Sequence, residues 1–369
     1  MQNLRIPGPT PCPPETLSEL SRQMINHRGP EFAALQGRIM ERLKLLFRTE
    51  SDVYVYTTSG TGVMEAAVVN TLSPGDKVLV VSIGEFGQRF AAIAQTYGAV
   101  VTRLDYEPGQ AADPDDVRQA LRNDSDIVAV LVTHNETSTG VTNPLQKIAK
   151  AVREFDKLLL VDGVSSVGSI PVEMDAWGLD VLVTGSQKGW MVPPGLAFVS
   201  MSERAWQAQQ RARMPRFYLD LARHRDSLAK GQTPWTPALS ILFGLEVALE
   251  RMVEEGREAV FARHARLGQM VRDGVRALGL ELLADERVAS NTVTAVKMPA
   301  GIEAKALTRL LEDEFGVVLA GGQGNLAGKI FRIGHLGWVT EEDIQETLTA
   351  LEGGLQRLGY ALPAYRQAS

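Results

Sequence analysis

Cysteine is all but missing: Cys12 is the only one in 369 residues. A single thiol excludes an intramolecular disulfide, argues against a cysteine-based zinc site and suits a reducing compartment. No run reaches the roughly 18 apolar residues that a membrane span requires. The opening MQNLRIPGPTPCPPE is proline-rich and lacks the apolar core of a signal peptide. Excess positive charge is also missing, because the net charge is −6, which gives no electrostatic basis for binding nucleic acid or an anionic membrane. Neither a Walker loop nor GxGxxG occurs, and there is no internal repeat or low-complexity tract. What remains is a soluble protein, expected in the cytoplasm, long enough for a large α/β domain and a smaller partner.

Short β-branched runs alternate with helical patterns over the first two thirds: VYVYT (53–57), KVLVVS (77–82), AVVTRL (99–104), IVAVLVTH (127–134), KLLLVD (157–162), DVLVTG (180–185) and LAFVS (196–200). That order predicts a mainly parallel seven-stranded sheet between helices. Asp113 before Pro114 and Asn143 before Pro144 read as helix caps. A long helix over 238–256 leads to a second region with charged helices at 257–278 and 340–358 and the short strands TVTAVKM and IFRI between them. The expected division is a large domain over 15–255 and a smaller α+β domain over 256–369, with residues 1–14 packing near the latter and the site.

In an open α/β sheet, ligands bind where strands end and helices begin. Thr57-Thr58-Ser59-Gly60-Thr61-Gly62 follows a strand and opens a helix, a place suited to phosphate but equally to an ordinary cap. Asp162 ends LLLVD, where a carboxylate either caps the next turn or meets a buried cation. Lys188, in TGSQKGWMVPPG, is a loop lysine or, if desolvated, a nucleophile able to form an imine. Asp162 and Lys188 stand one strand-helix-strand step apart, which places both at one sheet edge. A phosphate cup, an acid for a ring nitrogen and a lysine for an aldehyde form the set required by pyridoxal 5′-phosphate. Arg332, inside the apolar FRIG, calls for an anion: a substrate carboxylate or a structural acid.

The ordered segments SGTGVMEAA, GEFGQR, THNETSTG, VDGVSSVGS and TGSQKGWMVPPG, together with PGPTPCPP and FRIGHLG near the ends, resemble class V aminotransferases of fold type I. The alanine:glyoxylate and serine:glyoxylate (serine:pyruvate) group is the most similar. The resemblance implies that Lys188 holds the cofactor as a Schiff base and that Asp162 keeps its ring nitrogen protonated. Ser59, Gly60 and Thr61 would hold the phosphate with Gln187 beside them. Phe86 would stack on the ring, where many relatives have tryptophan. His134 and Thr137 would lie near the cofactor, Thr137 close to its 3-hydroxyl, and Asn135 stands where the family usually has glycine. Arg332 would bind the substrate carboxylate, Gly8 would close over the substrate, and His27 and Arg28 would sit near the pocket mouth. The family works as a homodimer, in which Thr236 would reach the partner's phosphate and Thr233 stands where some relatives have tyrosine.

The activity so implied is transamination from alanine or serine to glyoxylate or another 2-oxo acid. Phosphoserine is the alternative substrate, with Arg28 and His27 holding its phosphate. A desulfurase would need a reactive cysteine, and Cys12 is poorly placed for that. A non-catalytic subunit of a soluble redox complex is the rival of another class, although Lys188, Asp162 and Arg332 are all retained.

Overall fold

The computed structural model describes residues 2–363; the last six positions of the expected second domain lie outside them. Seven strands form the central sheet in the order Val53–Tyr56, Ala197–Met201, Val181–Gly185, Leu158–Asp162, Ile127–Thr133, Lys77–Ser82 and Val100–Asp105. All neighbouring strands are parallel except Ala197–Met201, which runs against both of its neighbours. Each expected strand is therefore present within a residue or so of its expected bounds.

The apolar runs show how one strand feeds two cores. Successive side chains point to opposite faces. Val130, Val132, Leu159, Val161 and Leu182 join one buried cluster, whereas Ala129, Leu131, Leu160, Val181 and Val183 join the other. Burial on both faces explains why these strands read as unbroken apolar runs and not as alternation.

Leu239–Glu255 and Arg257–Ala277 form the two long helices expected after the sheet. A third core lies beyond them, around Leu267, Val271, Leu311, Phe331, Ile333 and Leu351. Its antiparallel sheet is ordered Val293–Lys297, Ile330–Gly334, Ala320–Gly321. Between its strands lies the helix Ala304–Phe315, where the sequence reading had placed only strands; Leu307 and Leu311, four apart, bury one stripe of it. Glu341–Arg357 closes the unit behind a capping box of Thr340 and Asp343.

Asn3–Leu4 pairs in parallel with Val317–Val318, so the amino-terminal segment starts in the C-terminal unit before crossing to the main sheet. The cap expected at Asn143 is not formed. Its side chain takes the Ala112 N–H and donates to the Thr133 carbonyl, tying a loop to a strand, and the helix starts at Leu145 after Pro144.

Candidate active site

The parallel strands bring their carboxyl ends together. Thr133 is in register with Asp162, and Asp162 with Val183, so His134, Asp162 and the segment leading to Lys188 share one edge. Past Gly185 the chain is held by its own backbone: Ser186 N–H donates to the Leu196 carbonyl and the Ser186 hydroxyl to that of Pro193. Trp190 anchors the turn from below, fully buried between Phe47 and Phe198, its Nε1 donating to Thr184 Oγ1 at 3.0 Å. Lys188 is thereby fixed with only 9% of its surface exposed.

Burial pushes the Lys188 amine down to about 8, assisted by the Arg332 charge and opposed by Asp162. Its Nζ donates to the Pro7 carbonyl. Asp162 is buried, and that burial pushes its carboxyl upward against bonds from the Val164 N–H at 2.9 Å and the Thr133 hydroxyl at 3.2 Å. The carboxylate therefore organises the following turn and still faces the lysine's field. His134 is buried and neutral, its pKa pushed down to about 3 by burial.

Gly60–Thr71 begins at the same edge with Ser59 in the N-cap position, yet no side-chain cap bond forms there among the described residues. The Gly60 and Thr61 N–H groups have no backbone partner among the described residues. Gln187 Oε1, buried, is also unpartnered among them; a β-carbon on Gly185 would meet it at 3.1 Å and the Gly60 backbone at 3.5 Å. Open N–H donors at a helix N-terminus form a cup for an anion.

Two residues that the sequence reading passed over complete this edge. Arg89 lies over the Phe86 ring, 4.7 Å from its centre, and donates to Thr61 Oγ1 at 3.3 Å. Glu136 is wholly buried and accepts the Phe86 and Gly87 N–H groups at 3.0 and 3.2 Å, as well as the Ser138 hydroxyl, so it fixes the turn that presents Phe86. Both lie inside quoted motifs; the available signal was a charged residue amid small buried ones.

Arg332 arrives from the other side on Ile330–Gly334, 6% exposed. Its Nε donates to the Gly321 carbonyl at 2.9 Å and its Nη1 to the Thr137 carbonyl at 3.0 Å and to Gln323 at 3.2 Å. No carboxylate of the chain pairs with it among the described residues, so its charge is available to an outside anion. Gly8 lies over Lys188, with Thr10 N–H bound to the Gln187 carbonyl and Thr10 Oγ1 to that of Lys188.

The remaining residues gather elsewhere. Arg28 donates to Gln232 and to the carbonyls of Thr233 and Pro234, and Thr233 Oγ1 donates to the Trp235 carbonyl. Thr236 lines a cavity with Thr57, Phe32 and Trp235. Within one chain no described contact joins Thr233, Thr236, His27 or Arg28 to Lys188.

A lysine whose amine burial pulls down to about 8 thus stands with a buried acid, an anion cup and an unpaired arginine. The family model for class-V aminotransferases matches residues 9–345. The chain belongs to this family. As a class-V aminotransferase it is similar to the L-aspartate–glyoxylate aminotransferase of Paracoccus denitrificans, 40% identical over 91% of this chain and 86% of that one. It is also 46% identical to the soluble hydrogenase small subunit of Synechococcus sp., over 97% and 94% of the two chains. The alanine–glyoxylate aminotransferase of Nostoc sp. superposes with a TM-score of 0.93 at 32% identity, over 96% of this chain and 95% of that one. Fold type I and pyridoxal 5′-phosphate dependence come with this class-V membership, and the described residues contain no helix long and apolar enough to cross a membrane.

Proposed function

We propose that this aminotransferase moves the amino group of a small L-amino acid, alanine or serine, to glyoxylate or another 2-oxo acid. The observation that carries the proposal is the convergence of a desolvated Lys188, a buried Asp162 and an acid-free Arg332 on one strand-end edge. Relatives named for glyoxylate support the acceptor.

The cup fits the cofactor, since the Gly60 and Thr61 N–H donors at the helix N-terminus are open to an anion. Ser59, Gly60, Thr61 and Gln187 would hold the phosphate with Arg89 as countercharge, and Phe86, His134 and Thr137 would flank the ring. Bound there, pyridoxal phosphate supplies an electron-withdrawing ring that stabilises negative charge at the substrate α-carbon. Asp162 keeps a proton on the ring nitrogen. Lys188 Nζ would hold the aldehyde-bearing cofactor and, as a free amine, would take the substrate α-proton and deliver it onward as general acid. Arg332 grips the carboxylate that both substrates share, and Pro7 and Gly8 exclude water above the amine.

A second copy of the chain would complete the site through Thr233 and Thr236. Phe217, 63% exposed, and Tyr218 pack on Trp235 at 5.0 and 5.8 Å beside those threonines, an exposed aromatic patch suited to a homodimer contact. The division at residues 255 and 256 would mark the domain boundary. The cytoplasm is the proposed compartment, in keeping with a lone thiol that burial pushes up to about 11, a poor nucleophile.

Two other readings are weaker. Phosphoserine would need Arg28, whose guanidinium is already engaged by main-chain carbonyls. A non-catalytic role as a subunit of a redox complex rests on the names of two relatives, and the chain retains Lys188, Asp162 and Arg332. A donor and acceptor panel tests the proposal: turnover of alanine or serine with glyoxylate is expected. Turnover of phosphoserine with 2-oxoglutarate alone would overturn the substrate, and failure of every amino acid to change the absorbance of the lysine-bound cofactor would overturn the activity. Lys188→Ala should abolish that absorbance.

A further inference from the structure

Asn135 and Glu136 are successive residues of a short strand that pairs with Val141–Thr142, so their side chains point to opposite sides. Glu136 faces the helix that carries Phe86. Asn135 faces the C-terminal unit. Its buried amide uses every donor and acceptor it has: Nδ2 donates to Ser165 Oγ and to Thr292 Oγ1, each at 2.8 Å, while Oδ1 accepts from Thr142 Oγ1 at 2.7 Å and from Ser290 Oγ at 2.6 Å. Ser165 returns a bond to the Asn135 carbonyl at 2.8 Å.

These partners belong to different parts of the molecule. Ser165 stands three residues after Asp162, in the turn that the Asp162 carboxylate organises. Ser290 and Thr292 lead directly into Val293–Lys297, whose Ala295 is in register with Arg332 on the next strand. The same hairpin offers its Thr137 carbonyl to the Arg332 guanidinium. One amide thus joins the turn that Asp162 organises to the strand paired with the one that carries Arg332.

We propose that Asn135 is a positioning residue that sets the C-terminal unit against the cofactor edge and so fixes where Arg332 meets the substrate carboxylate. Its part in catalysis rests on the role given to Arg332 above; its part in holding the two units together does not. A saturated buried amide is costly to disturb, because removing it orphans hydroxyls on both sides at once. Bonds from Ser290 N–H to the Gly140 carbonyl and from Arg272 to the Ser290 carbonyl remain without it, so loosening and not unfolding is the consequence.

The experiment compares the full-length holoenzyme with Asn135→Ala, Thr292→Val and the double variant. Hydrogen exchange, measured without substrate, should rise over residues 290–297 and 330–334 in each variant. With alanine as donor, KM should rise about tenfold, the scale of a lost buried hydrogen bond, with kcat within about twofold and the absorbance of lysine-bound cofactor retained. The double variant should be no worse than Asn135→Ala, since the two residues act through one contact. Unchanged exchange in an active enzyme overturns the coupling, as does a fall in kcat with the cofactor absorbance lost, which would mark a merely structural role. Additive effects in the double variant overturn it too. Raised exchange in a protein that transaminates nothing supports the coupling and overturns the proposed function instead. Thr292→Val, which keeps the side-chain shape, decides the matter if Asn135→Ala does not fold.

Discussion

The Lys188 amine rests on the Pro7 carbonyl, and the next residue leaves it no spare room: a β-carbon on Gly8 would lie 2.7 Å from Nζ. Gly8 also has φ +129°, a conformation that side chains rarely adopt. The strap over the lysine therefore depends on glycine for two independent reasons. Gly8→Ala is expected to lower kcat/KM at least about tenfold, since the strap must lift from the amine it covers. Steady-state kinetics with alanine and glyoxylate check this, and a wild-type value would show the strap to be freely movable.

Lys188 should give cofactor capture its pH dependence. Burial and the Arg332 charge bring the amine down from the ordinary lysine range to about 8, so the ammonium predominates below that pH and the attacking free amine above it. The rate at which apoprotein takes up pyridoxal phosphate should rise as pH passes through about 8 and then level off. Arg332→Gln removes a neighbouring positive charge, the ammonium becomes easier to keep, and the midpoint should move to higher pH. A midpoint that stays in place or falls would separate Arg332 from the lysine's field.

Asp162 has a carboxylate function that an amide cannot replace. Asp162→Asn keeps the shape: its single amide oxygen can accept from the Val164 N–H while its NH2 faces the Thr133 hydroxyl oxygen as a donor, but it cannot hold a proton on a ring nitrogen. The variant should bind the cofactor and lose about a hundredfold or more in kcat, the scale seen when one electrostatic stabiliser is removed. Single-turnover kinetics on the loaded variant test this, and a near-normal rate would reduce Asp162 to a turn-forming residue.

The sequence made the sheet legible because each strand is buried on both faces and reads as a continuous β-branched run; Leu158–Asp162 and Val181–Gly185 could hardly be anything else. Chemistry was legible where a polar group ended such a run, as at Asp162, or followed it, as at Lys188. Less was visible where a side chain serves the backbone of another element. Asn143 resembled a cap and instead spans a loop and a strand. Arg28 resembled a substrate ligand, and its guanidinium is engaged by carbonyls some two hundred residues away in sequence. Glu136 lay unremarked inside THNETSTG because the N–H groups it satisfies belong to residues 86 and 87, a pairing that only the folded chain creates.

Arg89 yields a test of how the cup discriminates. The residues that would surround the phosphate, Ser59, Gly60, Thr61 and Gln187, are all neutral, and a helix N-terminus supplies only about half a positive charge against a dianion. Arg89 adds a full charge at Thr61 Oγ1 while its plane rests on Phe86. It is exposed, so its attraction is screened and should weaken with salt. Arg89→Gln should therefore weaken pyridoxal phosphate binding by about tenfold at low ionic strength and less at high, while free pyridoxal, which has no phosphate, should bind both proteins alike. Equilibrium dialysis of the apoprotein against each compound measures this. An equal loss for both compounds would mean that Arg89 supports the Phe86 ring instead of the phosphate.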